Sequence, residues 1–313
     1  MSFWEKALKK SGALGKSVVW LLYFICADSA IYYAFMYLNI DRKIYKGTYN
    51  LISSIVIFVT MFVIAKLLSL KSEPLIKIKK ITWDQILCLI VVGLGMLGFV
   101  TLYIIIADKI AAYLESLKNA MQDYRESVDR FSDTPQIVVP AWDTVLYVIT
   151  LCFIVPVTEE LTFRGVVFGQ LRREFGPMAS IILSAILFGL LHGISVHIGY
   201  AIVCGLIIAA VYNITDSLIA PIILHAVFNI FGSGIANFMT FEAFGIPGNL
   251  TSTVLLGINI TSMLMMPVAV IAFAYLVVIK RKRAKESEAL EQASEVQVEL
   301  SGETEENGIE AKE

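Results

Sequence analysis

Two adjacent glutamates, Glu159 and Glu160, with Arg164, His192, His225 and Asn229 are the residues of this chain whose types and spacing could do chemistry. A carboxylate, two imidazoles and an amide suit hydrolysis. One group takes a proton from a water, another orients that water, and neutral donors hold the oxyanion of a tetrahedral intermediate. Ser195 and Ser233 fall at helix ends, and Cys152 and Cys204 have no adjacent histidine, so an activated water is simpler than a side-chain nucleophile. Glu159, His192 and His225 would equally make a hydrolytic zinc set with an open position. Spacing alone leaves both readings standing.

The elements that must position these residues are membrane helices. Of 313 residues, 57% are apolar and 17% charged, with a mean hydropathy of +0.74, where a soluble domain would be about a quarter charged. The composition excludes disordered, collagen-like and disulfide-scaffold classes; the four cysteines read as packing residues. The net charge of −2 offers no basic field for nucleic acid. The alternating segments of a β-barrel are absent, so the expected fold is an all-α polytopic bundle. Apolar runs at about 17–39, 49–70, 85–107, 142–171, 177–194, 196–213, 215–232 and 254–279 predict about eight crossings. The first run reads as an uncleaved anchor.

Lys and Arg sort to one side of such a bundle. Lys6, Lys9, Lys10 and Lys16, then Lys71, Lys77, Lys79 and Lys80, then Arg172 and Arg173, then Lys280 to Arg283 fall together if there are eight spans. The positive-inside rule then places both termini in the cytoplasm of a multi-pass cell-membrane protein. The segment 108–133 carries Tyr113, Leu114, Leu117, Met121 and Tyr124 at helical spacing and reads as an amphipathic helix on the outer surface. Four regions follow: 1–141 with three spans and this outer segment, 142–232 with the chemical residues, 233–283 with an outer loop and the last span, and an acidic tail, 284–313, expected to be disordered.

Within 142–232, three charged groups facing lipid would cost on the order of 7 to 10 kcal/mol, so they must face the bundle interior. Glu160 and Arg164 at i and i+4 are spaced for an ion pair. Glu159, about 100° away around the helix, is left to another neighbour and suits a general base. At about 1.5 Å per residue, Glu159, His192 and His225 lie about 20, 22 and 14 Å from the basic ends of their helices. They and Asn229 could meet inside the bundle. Pro156 and Pro221 favour kinks beside the polar residues. Gly189, Gly193, Gly199 and Gly205 read as close-packing positions, and His197 as an interfacial bystander.

Glu159-Glu160-x-x-x-Arg164, Phe188-x-x-x-His192 and His225-x-x-x-Asn229, in that order on successive late helices, resemble the three motifs of the CAAX-protease and bacteriocin-processing (CPBP, or Abi) family of intramembrane endopeptidases, which includes the type II CAAX prenyl endopeptidases. The resemblance covers about 142–232. It implies that Glu159 activates water with His192, that His225 and Asn229 stabilise the oxyanion, and that Glu160, Arg164 and Phe188 support them. It implies hydrolysis of a membrane-associated or prenylated-type peptide or protein, in membrane lipid, at a site open to the cytoplasmic side. A glutamate-dependent reaction without a cofactor is the expectation; a divalent metal such as zinc on Glu159, His192 and His225 is the alternative. A proton-coupled transporter would use the same residues as a relay, but no internal repeats are visible. A non-catalytic immunity or scaffold protein is the other reading, against which the intact motif set counts.

Overall fold

The computed structural model describes residues 2–70, 72–128, 139–193 and 196–310. Among these there is no strand. The helices are α1 (Phe3–Tyr37), α2 (Lys46–Leu68), α3 (Trp83–Ala111), α4 (Glu115–Val128), α5 (Ala141–Glu174), α6 (Pro177–Leu191), α7 (Val196–Thr215), α8 (Ile219–Met239) and α9 (Gly248–Glu310). Seven of them are long and apolar enough to cross a membrane. The fifth expected span, α6, has only 15 residues. It stops at Leu191 because His192 caps it and Gly193 turns to a φ of +80°, a left-handed conformation that glycine adopts without strain.

Other boundaries also move. The seventh span runs on to Met239 through a π turn at Ile230–Gly234, which shortens the expected outer loop. The acidic tail continues α9 to Glu310 instead of being unstructured; its Glu, Ala, Leu and Gln are strong helix formers, and Lys282 meets Glu286 across one turn. Asp108 and Lys109 belong to the last turn of α3, α4 forms as expected, and residues 129–133 lie outside the described residues.

Small residues let the helices close up. A Cβ on Gly98 would collide with the Ser262 carbonyl and one on Gly95 with Ala269, so α3 and α9 pack backbone to backbone. Gly189 and Gly205 do the same between α6 and α7, and Gly199 admits the Tyr103 ring; Gly193 faces open space and serves the helix end instead.

The basic segments meet at one end of the bundle. Asp216, in the turn after α7, pairs with Lys79 and Arg172 at 3.1 Å and Lys77 at 3.8 Å. Burial pushes its carboxyl up, but hydrogen bonds from Lys79 and Arg172 and the charge of Lys77 outweigh that and hold it below the ordinary carboxylate range. Lys10 lies over Phe175, and Lys280 donates to the Asn213 carbonyl. At the opposite end the basic groups are fewer: Arg42 lies over Tyr32 and Tyr49, Lys46 over Tyr147, and Arg125 pairs with Asp108.

That opposite end holds a tie that the sequence did not announce. Asp143, in the first turn of α5 and 1% exposed, accepts from the Gly47 N–H at 2.7 Å and from the N–H and hydroxyl of Thr48 at 2.9 and 2.6 Å. A carboxylate borrowed from α5 thus caps α2, whose own N-cap residue, Tyr45, makes no side-chain cap. A Cβ on Gly47 would collide with the Asp143 carbonyl. Asp143→Ala, which leaves these donors unmatched, should cost on the order of 2 kcal/mol. Thermal unfolding in detergent checks this, and an unchanged midpoint would show that the tie is idle.

Candidate active site

The site is built on α5, α6 and α8, where the helical register is repeatedly broken. In α5 a π turn spans Thr150–Ile154, with the Val155 N–H bonded five residues back to the Thr150 carbonyl. The next residue, Pro156, has no N–H to give, which leaves the Leu151 carbonyl without its helical partner. Asn229 supplies it: its Nδ2 donates to Leu151 O at 2.9 Å. A second π turn, Leu161–Val167, begins directly after Glu160, and the one in α8 begins directly after Asn229. Such turns widen a helix by one residue and re-aim its side chains, a feature frequent at functional sites.

Glu160 and Arg164 form the expected pair, Nη1 to Oε1 at 3.1 Å, with both side chains fully buried. Arg164 Nη2 also donates to the Gly205 carbonyl at 3.1 Å. The same Glu160 Oε1 lies 2.8 Å from His225 Nδ1. A carboxylate oxygen only accepts, so Nδ1 carries the proton and the opposite nitrogen, Nε2, is turned to Glu159 Oε2 at 3.9 Å. His225 therefore bridges the two glutamates. Glu159 keeps some surface, 15%, where Glu160 has none.

Phe188 stands at the centre of the remaining contacts. The Arg164 guanidinium lies 4.6 Å from its ring centroid, and the rings of His225 and His192 lie 6.1 and 4.7 Å away. His192 is exposed at the end of α6, with Nδ1 2.9 Å from its own helix's Phe188 carbonyl. The structure thus gathers Glu159, Glu160, Arg164 and His225 and sets His192 beyond the Phe188 ring. Asn229 gives one N–H to Leu151, and His197 packs against the rings of Tyr124 and Tyr200. Ser233 donates to the Asn229 carbonyl, Cys152 and Cys204 are buried, and Ser195 lies outside the described residues.

Asn229→Ala should lower stability by about 1 to 3 kcal/mol by orphaning the Leu151 carbonyl. Loss of activity with no change in unfolding would show instead that the amide serves the substrate.

As zinc ligands, Glu159, His192 and His225 do not fit. Among the described residues no three His, Cys, Asp or Glu side chains gather in a way that could hold a metal ion. Two participants escaped the sequence altogether, the carbonyls of Gly205 and Leu151, because backbone acceptors leave no residue-type signal; the proline before the glutamates was the one hint for Leu151.

The fold and the buried ion cluster define a polytopic helical membrane protein with its polar machinery inside the bundle. Compared with protein-family models, residues 141–231 match the family described as Rce1-like, type II CAAX prenyl endopeptidase Rce1-like. Over that segment, which is less than a third of the chain, the sequence is similar to this family. Neither curated proteins nor solved structures give a match.

Proposed function

We propose that this protein hydrolyses a peptide bond of a membrane-associated peptide or protein, with Glu159 taking a proton from the attacking water. The observation that carries the reading is the double use of His225, held by Glu160 at Nδ1 and facing Glu159 with Nε2. Arg164 balances Glu160 and leaves Glu159 as the carboxylate without a cation. Water placed between Glu159 Oε2 and His225 Nε2 loses a proton to the carboxylate as its oxygen bonds the carbonyl carbon. That proton then goes to the departing amine, which breaks the peptide bond. His225 Nε2, left as an acceptor by the bond at Nδ1, takes a hydrogen bond from the same water and so orients its lone pair toward the carbonyl carbon. His192, exposed beyond Phe188, meets the substrate at the open edge of the site.

No step in this scheme needs a metal. The surrounding partner is membrane lipid, and the basic end of the bundle faces the cytoplasm. The test is cleavage of a lipidated fluorogenic peptide by purified protein with and without a strong chelator. Cleavage unchanged by the chelator is the expected result. Loss restored by zinc would reject the metal-free step, and no cleavage under any condition would reject the peptidase reading.

A further inference from the structure

At the basic end of the bundle, residues 75–79 are laced onto the end of α7 and the turn after it. The buried Tyr212 hydroxyl donates to the Leu75 carbonyl at 3.2 Å and accepts from the Lys77 N–H at 3.3 Å. Ser217 Oγ accepts from the Lys79 N–H at 3.1 Å and donates to the Lys79 carbonyl at 2.6 Å, while the Lys77 carbonyl takes the Leu218 N–H at 2.8 Å. These bonds fix the segment beside the end of α5. Between the two lies a cleft of about 80 Å³, with Leu75, Phe168 and Tyr212 in its lining. At about 15 Å³ per water it holds about five waters, the room of one phosphate group.

The charge around this cleft is one-sided. Among the described residues its lining holds three cations, Lys77, Arg172 and Arg173, against one carboxylate, Glu73. Asp216 beside it is shared by Lys77, Lys79 and Arg172, so one negative charge answers three positive ones. It takes one of the five N–H groups of Arg172, and at 3.8 Å it lies beyond hydrogen-bond reach of the Lys77 ammonium. Arg173 is held by backbone alone, through the carbonyls of Leu68 and Glu73. Donors therefore remain for a further anion, on side chains of Lys77 and Arg172 that keep 30% and 24% of their surface.

The neighbouring surface says which anion. Arg173 ties the cleft to the last turn of α2, a membrane helix on which Val59, Val63 and Leu67 present one exposed apolar face. Free phosphate would use the cations alone, whereas a phospholipid uses both, with its phosphate in the cleft and its chains along the helices. We infer that this cleft binds the phosphate of an anionic phospholipid headgroup, with Arg172 and Lys77 as its charged contacts. The surplus of positive charge favours a headgroup of net negative charge over a zwitterionic one. With the basic end in the cytoplasm, the lipid belongs to the inner leaflet. Arg172 lies twelve residues along α5 from Glu160, about 18 Å, so the cleft is separate from the glutamate–histidine cluster.

The test is native mass spectrometry of the delipidated full chain in detergent, titrated separately with phosphatidylglycerol, phosphatidylcholine and inorganic phosphate. One phosphatidylglycerol should be retained at concentrations where the other two are not. Lys77→Gln and Arg172→Gln should each weaken retention about fivefold, the worth of one basic residue beside an anionic lipid. Glu73→Gln, which removes the opposing carboxylate, should tighten it, a gain that a damaged fold would not produce. Lys282→Gln with Lys285→Gln, on exposed residues of α9 beyond the same end, should leave retention as in the parent. Equal retention of phosphatidylcholine, or an equal loss in the Lys282 and Lys285 variant, makes the attraction general and overturns the inference. Inorganic phosphate retained as well as the lipid overturns the lipid assignment. Retention unchanged in the Lys77, Arg172 and Glu73 variants puts the lipid elsewhere on the bundle and overturns the cleft.

Discussion

Glu159→Gln should leave a folded protein that cleaves its substrate about 10²- to 10⁴-fold more slowly, the range over which a positioned acid or base contributes. Gln keeps the size of the side chain and its ability to accept from water, and removes the capacity to take a proton. The exchange spares the buried pair, because Arg164 is bonded to Glu160 and to the Gly205 carbonyl, while Glu159 faces His225 Nε2 at 3.9 Å. The fall should therefore appear in kcat with unfolding in detergent nearly unchanged. A variant that loses stability and activity together would make Glu159 a packing residue.

Arg164→Met should act in the opposite way and unfold the bundle, at a cost of about 3 to 5 kcal/mol. It strands a fully buried carboxylate whose Oε2 already has no hydrogen-bond partner among the described residues, and it removes the donor to Gly205 and the cation over the Phe188 ring. Adding Glu160→Gln removes the stranded charge, so the double variant should recover part of the stability. It should recover little activity, since His225 Nδ1 then faces a neutral amide and the ring loses its charged anchor. Equal stability of the single variant and the parent would show that the pair contributes nothing net, a known outcome for buried ion pairs replaced by apolar groups.

What could be read from the sequence followed the regular helix. The Glu160–Arg164 pair was legible because i, i+4 spacing survives the π turn that starts between them, and the depth of His225 was legible from a constant rise per residue. The partner of His225 was not. Depth says nothing about direction around an axis, and three π turns reset that direction next to Glu160, Pro156 and Asn229. Asn229 was grouped with the chemistry on its spacing from His225, yet a proline on another helix determines its bond. His192 was placed at the right depth, but inside a span that in fact ends one residue earlier. The distribution of Lys and Arg gave the number of apolar helices and the common basic end.

The Asp143 tie bears on how this protein can be cut or inherited. The segment that matches the family begins at residue 141, two positions before a buried carboxylate whose three donors all belong to Gly47 and Thr48. The segment is a sequence unit without being a folding unit, because its first buried charge is satisfied only by a helix lying about a hundred residues upstream. Excised at its family boundaries, it would carry an unmatched anion at its own threshold. The N-terminal helices are thus part of the foundation of the family-matched segment, and a transplant of that segment would have to bring α2 along.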